Sequence, residues 1–233
     1  MEREVLLTGI GGQGVQLAAQ VLASAALAEG RDVQLFGSYG GMMRGGNTDA
    51  TLVIADVRVE SPPTVGCAWS ALVMHPMYAE PVLSRIKTGG IVMRNKGVCE
   101  GRPGGSGYSV LDVAATDLAT NAGHPIAATM VMLGAFSAAT GIVSLAGLRD
   151  ATRACVPPYR SQHIELNERA LAIGADAVTG VTVEAWPAVL TKADRGTKGL
   201  IDSKGPIESA RSIDSKGPIE SARPIDSQGR TGE

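Results

Sequence analysis

The chain alternates between short apolar runs and longer segments whose apolar residues recur every three or four positions. The short runs predict strands at residues 4–8, 33–36, 50–55, 71–74, 91–93 and 108–113. The longer segments predict helices at about residues 13–29, 114–121, 125–139, 144–154 and 161–173. Because strands alternate with helices, we predict the α/β class: a Rossmann-like, three-layer unit with a mostly parallel sheet and a helical C-terminal third.

Glycines and prolines give the expected connections between these elements. We expect residues 37–46 to form a loop, because five glycines lie within them. We expect residues 57–60 to continue the third strand past a turn. Proline is tolerated in the first turn of a helix, so a helix should begin near Pro76 and Pro81 and end at Gly89-Gly90. Residues 101–107 are expected to form a glycine-rich turn.

The end of the chain has a different character from the rest. The segment IDSKGPIESARS at residues 201–212 is repeated as IDSKGPIESARP at 213–224 and starts again at Ile225. Isoleucine is the only sizeable apolar residue of each unit, which is too little to bury a core. We therefore divide the chain into a folded domain, residues 1–190, and a low-complexity tail, residues 191–233. The tail is either disordered or extended over a partner.

Composition narrows the classes of function. The chain has 233 residues and a formal net charge of −2, which argues against nucleic acid or an anionic membrane as a partner. No apolar run reaches the roughly 18 residues of a membrane span, and the start resembles no secretory signal, so we expect a cytoplasmic protein. Cys67, Cys99 and Cys155 form no Cys-x-x-Cys pair, which argues against a disulfide framework or an iron–sulfur cluster in this chain.

The first glycine segment, GIGGQG at residues 9–14, lies between the first predicted strand and the first predicted helix. Such a turn lets backbone N–H groups approach an anion at a helix N-terminus. The spacing fits the dinucleotide fingerprint, but Glu29 and Asp32 precede the second strand and no carboxylate follows it at the ribose-binding position. A nicotinamide cofactor, another phosphate-bearing group, a contact with a partner's active site and a turn that only packs helix on strand all remain open.

A second glycine segment follows the second predicted strand. Ligands of open α/β sheets bind outside the carboxyl ends of the strands, so the two segments should meet at one edge if these strands are neighbours. Arg44 would offer a bidentate fork to a phosphate or carboxylate, and a salt bridge to a partner is the alternative. Tyr39 could pack or stack on a ligand. The predicted cofactor-binding residues are Gly9, Gly11, Gly12, Gln13, Gly14, Ser38, Tyr39, Arg44, Gly45 and Gly46.

Several motifs together resemble one protein family. GIGGQGV, YGGMMRGG and ATLVIADVRVESP occur in this order, followed by TMVMLGAF at 129–136 and ELNERALAIG at 165–174. This series resembles the gamma subunit family of 2-oxoacid:ferredoxin (acceptor) oxidoreductases, from about Glu4 to Ala175. The repeat tail is not part of that resemblance.

The resemblance implies a subunit of a heteromultimeric oxidoreductase of anaerobic metabolism. In that family a 2-oxo acid is oxidatively decarboxylated to an acyl-CoA. Alpha- and beta-type subunits hold thiamine diphosphate and magnesium, and a ferredoxin-like delta-type subunit holds iron–sulfur clusters. The gamma subunit holds neither; it supports the active site and is a candidate for coenzyme A binding.

The residues agree with such a supporting role. His75, His124 and His163 have no nucleophile or carboxylate at a telling spacing, so we predict no catalytic residue and no metal site in this chain. We expect the isolated chain to be inactive with 2-oxo acids. Two alternatives remain: a purely structural scaffold subunit of the same complex, and a stand-alone nicotinamide-dependent Rossmann enzyme.

Overall fold

The computed structural model describes residues 1–39, 45–60, 65–99, 107–180 and 182–186. The predicted turn at 101–107, except its last residue, and the predicted tail lie outside these residues. Six strands lie in the described part: β1 (Glu2–Ile10), β2 (Asp32–Tyr39), β3 (Asn47–Ala55), β4 (Ala68–Val73), β5 (Ile86–Asn95) and β6 (Ser109–Val113). Six α-helices accompany them there: α1 (Val15–Ala28), α2 (Glu80–Leu83), α3 (Ala115–Asn121), α4 (Ala128–Thr140), α5 (Leu145–Cys155) and α6 (Ile164–Asp176).

The described strands form one mixed sheet in the order β2-β3-β1-β4-β5-β6. β1, β4, β5 and β6 are parallel to one another, whereas β3 is antiparallel to both of its neighbours, β1 and β2. The prediction of an α/β fold with a mostly parallel sheet is confirmed. Because β3 reverses direction between them, β1 and β2 run the same way, and their C-terminal ends lie at the same edge of the sheet.

Apolar side chains cover both faces of the sheet. On one face, residues such as Leu7, Leu52 and Leu72 pack against the larger helices. On the other face, Leu6, Val53 and their neighbours pack against α2 and the segments beside it. Consecutive strand residues point to opposite faces, so these short, nearly continuous apolar runs supply both cores. No helix in the described part of the chain is long and apolar enough to cross a membrane.

The second predicted strand is longer than its sequence suggests. Residues 37–39 continue β2, where we expected the loop of residues 37–46 to begin, and they pair with Ala50, Asp49 and Thr48 of β3. Glycine keeps both backbone hydrogen-bonding groups, so the ladder with β3 continues through Gly37. A side chain there would collide with α1, since a Cβ atom on Gly37 would lie 2.5 Å from Gln16 Oε1.

Two other expected connections are wrong. Residues 57–60 do not continue β3, because the chain bends after Ala55 and leaves Val57 82% exposed. Gly89-Gly90 do not end a helix; α2 ends at Leu83 and both glycines lie inside β5. Gly89 adopts a positive φ of 79°, and a Cβ atom on Gly90 would lie 2.2 Å from the carbonyl oxygen of Trp69. These glycines therefore allow the close approach of β5 to an irregular part of β4.

The predicted C-terminal helices are confirmed as α3 to α6. α4 and α6 cross with their backbones in contact, because a Cβ atom on Gly134 would lie 2.0 Å from the carbonyl oxygen of Leu171. On the other helix, a Cβ atom on Gly174 would lie 1.9 Å from the carbonyl oxygen of Val131. This helical layer covers the sheet face that carries α1.

Candidate functional site

The two glycine segments that the sequence singled out meet at the edge where β1 and β2 end. The N–H of Gly11 donates a hydrogen bond of 2.8 Å to the carbonyl oxygen of Gly46. A Cβ atom on Gly11 would lie 3.2 Å from the backbone nitrogen of Gly45, so the close approach of the two segments favours glycine at position 11. A backbone hydrogen bond therefore joins the two glycine segments, at Gly11 of the first and Gly46 of the second.

The first segment leads into α1 with its backbone uncovered. Gly12 and Gly14 have positive φ angles of 103° and 80°, and no atom lies within 4 Å of a Cβ placed on either. Gly14 is the residue before α1, and no side chain caps that helix by a hydrogen bond. The first N–H groups of a helix have no partner within it, so the start of α1 presents donors and the positive end of the helix dipole.

Gln13 and Gly9 have structural roles beneath this loop. The side-chain oxygen of Gln13 accepts a hydrogen bond of 2.9 Å from the N–H of Ile10, and Thr129 Oγ1 donates one to the carbonyl oxygen of Gln13. Gly9 lies within β1, where a Cβ atom would be 2.6 Å from Gln13 Oε1. Gln13 therefore fixes the shape of the loop, and Gly9 leaves room for its side chain.

The other predicted site residues follow β2. Ser38 and Tyr39 form the last backbone pairs of β2 with β3. Gly45 is exposed with a positive φ of 91°, and Gly46 accepts the hydrogen bond from Gly11. Arg44 lies outside the described residues.

A cleft of about 900 Å³ begins at the glycine loop and extends to the helical C-terminal part. Its first wall is formed by residues 11–17 together with Gln20 and Thr48. Its second wall, which the sequence analysis did not predict, comes from three separate segments: the start of α4, the connection after α5, and the start of α6. The polar and aromatic residues of the second wall are His124, Thr129, Tyr159, Arg160, His163 and Asn167.

Two histidines stack on the second wall. The ring centroids of His124 and His163 are 5.3 Å apart, with 23° between the ring planes. Burial, and then the positive charge of His163, lower the pKa of His124 below its ordinary value of 6.5. His163 Nδ1 is buried and has no hydrogen-bond partner within the described part of the chain. The spacing of these histidines in the sequence gives no sign of the pair, because the contact arises only from packing.

Asn167 lies beside this pair in α6. Asn167 is only 6% exposed as a residue, and it lines the cleft. An amide offers both hydrogen-bond donors and an acceptor, so Asn167 is suited to pair with a ligand or water in the cleft. The motif ELNERALAIG contains Asn167, but periodicity alone identifies it only as a helical residue.

No nucleophile emerges among the described residues of the cleft. Cys155 is part of the lining, and burial raises the pKa of its thiol, so the thiol stays protonated at neutral pH. No group of three or more His, Cys, Asp or Glu side chains within the described ranges could hold a metal ion. The geometry of the described part offers hydrogen-bond donors and cations, which suit binding of an anion.

Comparison with known proteins agrees with this fold. The profile of the family described as "POR: Pyruvate ferredoxin/flavodoxin oxidoreductase" matches residues 4–210, which extends beyond Ala175 and into the first repeat unit. The chain is 33% identical over 175 residues to the 2-oxoglutarate synthase subunit KorC of Methanothermobacter marburgensis, covering 68% of this chain and 88% of that protein.

Two crystal structures resemble this one closely. The gamma subunit of a keto/oxoacid ferredoxin oxidoreductase from Geobacter sulfurreducens superposes with a TM-score of 0.64 at 28% identity, covering 75% of this chain and 97% of that one. The pyruvate oxidoreductase subunit PORC of Thermotoga maritima gives a TM-score of 0.64 at 29% identity, covering 76% and 97%. The chain therefore belongs to the pyruvate ferredoxin/flavodoxin oxidoreductase family and is a gamma-type subunit of a 2-oxoacid:ferredoxin oxidoreductase.

Proposed function

We propose that this gamma subunit binds the diphosphate of coenzyme A at its glycine loop and supports the active site of a complex that oxidatively decarboxylates a 2-oxo acid to an acyl-CoA. The observation that carries the proposal is the hydrogen bond from Gly11 to Gly46, which joins both glycine segments beside the uncapped start of α1. Backbone N–H donors at a helix N-terminus favour a phosphate group.

The residues present suit such an anion. The loop shows open space above Gly12 and Gly14, so a phosphate can approach the backbone closely. Arg44 directly precedes Gly45 in the sequence and supplies the cation in this proposal. The backbone N–H donors are neutral. A guanidinium would donate a further, charge-assisted pair of hydrogen bonds to the oxygens of the same phosphate.

A nicotinamide dinucleotide fits this site less well. In the dinucleotide-binding fold the second strand lies beside the first and ends at a carboxylate that binds the ribose. Here β3 lies between β1 and β2, and Asp32 stands at the start of β2. Its carboxylate already accepts hydrogen bonds from the N–H groups of Val33 and Val59. The fold therefore favours a phosphate site without a ribose carboxylate.

The redox chemistry belongs to the partners in this proposal. Alpha- and beta-type subunits hold thiamine diphosphate and magnesium, on which the 2-oxo acid is decarboxylated, and a delta-type subunit holds the iron–sulfur clusters that remove the electrons. This chain contributes binding and orientation of coenzyme A, in the cytoplasm, and the isolated subunit has no turnover. A purely structural scaffold is the second candidate, because the same glycine segments could fit tightly against a partner.

The variant Arg44→Ala separates the two candidates. In the assembled complex, loss of a charge-assisted phosphate contact of about 1.5–3 kcal/mol should raise the KM for coenzyme A roughly 10- to 100-fold. The kcat, the KM for the 2-oxo acid and the subunit composition should stay unchanged.

A control substitution removes the same charge elsewhere. Arg58 is exposed and lies outside the cleft, so Arg58→Ala should leave the KM for coenzyme A unaltered. If Arg44→Ala instead releases the subunit from the complex without a selective change in that KM, the scaffold role is correct and the binding role is not.

A further inference from the structure

The ionisable side chains that line the cleft include basic residues and no carboxylates among the described residues, although the chain as a whole has a net charge of −2. Among its described lining residues are one arginine and two histidines, Arg160, His124 and His163, and no aspartate or glutamate. Arg160 makes no ion pair with any described carboxylate, and its guanidinium carbon lies 5.5 Å from the centre of the Tyr159 ring. A free cation facing a cleft without carboxylates favours an anionic ligand.

The second wall also contains a buried polar atom that the described residues do not satisfy. His163 Nδ1 is buried and lacks a hydrogen-bond partner among them. Asn167, which follows it in α6, is 6% exposed and also lines the cleft. Because a buried donor or acceptor without a partner is unfavourable, this wall is suited to a polar ligand.

The size and the rim of the cleft suit a nucleotide. A volume of about 900 Å³ lies near the top of the usual range of roughly 300–1,000 Å³ for small-molecule and cofactor sites. Tyr159 and Ile126 at its rim are 74% and 70% exposed, and an exposed aromatic ring beside an apolar side chain can cover the face of a base.

We infer that the second wall binds a second phosphate of the same ligand, the monophosphate on the ribose of coenzyme A, through Arg160, His163 and Asn167. The inference rests on the proposed function, because it takes the diphosphate to lie at the glycine loop on the first wall. The guanidinium and the imidazole donate to the phosphate oxygens, and the side-chain NH₂ of Asn167 donates a further hydrogen bond. His124 supports His163 by stacking on its ring.

A comparison of coenzyme A with 3′-dephospho-coenzyme A tests this assignment in the assembled complex. The wild-type complex should have a KM for coenzyme A at least tenfold below that for the dephosphorylated form. The variants Arg160→Gln and His163→Gln should each raise the KM for coenzyme A, about tenfold for the arginine, and leave the KM for 3′-dephospho-coenzyme A unchanged. Asn167→Asp keeps the side chain's size and adds a negative charge, so it should raise the KM for coenzyme A further.

Two controls make the outcome decisive. Arg169→Gln removes an exposed arginine of the same helix outside the cleft and should change neither KM. Arg44→Ala should raise both KM values, because the diphosphate is present in both compounds. Subunit composition and the melting temperature of each variant complex show that the protein has folded and assembled.

Each possible result decides between the two claims. If Arg44→Ala acts but the second-wall variants do not, or if they change both KM values equally, the inference fails and the proposed function stands. If neither set changes a KM for coenzyme A, both fail. If the second-wall variants dissociate the complex, the cleft holds a segment of a partner subunit and the inference is overturned.

Discussion

The stacked histidines show how one residue sets the protonation of another. His124 is neutral at physiological pH, because burial and the charge of His163 oppose a second positive charge in the cleft. A neutral imidazole has one nitrogen that donates a hydrogen bond and one that accepts, and it adds no positive charge to the cleft. The positive charge of this pair is therefore limited by the lowered pKa of His124.

We predict that His163→Phe raises the pKa of His124. The phenyl ring keeps the stacking but removes the repelling charge, which is the smaller cause; burial, the larger cause, remains, so the pKa should stay below 6.5. Titration of the imidazole C–H signals by NMR measures this value. A pKa of His124 at or above 6.5 in the wild type, or a decrease in the variant, would contradict the assignment.

The same shift has a consequence for stability. Well above pH 6.5 His124 is neutral in both the folded and the unfolded chain, so it contributes no pH dependence to the free energy of unfolding there. As the pH falls from there through the lowered pKa, the unfolded chain takes up the proton first, and the free energy of unfolding decreases. In His163→Phe this decrease should be smaller, as urea titrations at pH 7 and pH 5 would show.

Individual site residues illustrate where sequence reasoning is limited. The glycine loop was identified from its spacing alone, because positive φ angles and close backbone contacts restrict the residue type. The role of Gln13 could not be predicted from the sequence. A hydrogen bond to the N–H of Ile10 and a contact with a ligand are equally compatible with a glutamine at this position. Asn167 and the histidine pair could not be predicted either, because only the packing of distant segments brings them to one cleft.

At the scale of the elements, the crossing of α4 and α6 holds the second wall in place. Asn167 belongs to α6, and Thr129 and Met130 of the cleft belong to the first turn of α4. Gly134 and Gly174 let the two helix backbones touch, so the position of α6 relative to the glycine loop depends on them. The carbonyl oxygens at this contact cannot move aside as a flexible side chain could.

We predict that Gly174→Ala lowers the free energy of unfolding by about 1–3 kcal/mol or more, because its Cβ atom would lie 1.9 Å from the carbonyl oxygen of Val131. Equilibrium unfolding in urea measures the change. Gly66→Ala is the matched control, since no atom lies within 4 Å of a Cβ at Gly66 and its φ is not positive. A Gly174→Ala protein as stable as Gly66→Ala would contradict the crossing described here.

Periodicity located all the described strands and most of the helices, because each has an apolar face that must be buried. It did not give the direction of β3 or the extension of β2. Both depend on pairing between strands: the ladder of β2 with β3 carries the chain past Gly37, whatever its local propensity. The end of the α2 segment was missed for a similar reason, since Gly89 and Gly90 serve a close strand contact rather than a helix end.

At the scale of the whole molecule, the fold places two chemically different walls on either side of one cleft. The first wall offers backbone donors at the start of α1, and the second offers cationic and amide side chains from the helical C-terminal part. The family identified from sequence motifs was confirmed by the comparisons.

If coenzyme A contacts this subunit within the complex, its binding protects backbone amides of this chain from exchange with solvent. Hydrogen–deuterium exchange of the assembled complex, followed by mass spectrometry with and without coenzyme A, measures that protection. We predict slower amide exchange in residues 11–17 and 159–167 when coenzyme A is bound, with the first effect reduced in Arg44→Ala. Protection confined to the partner subunits, with both segments of this chain exchanging at unchanged rates, would contradict the claim.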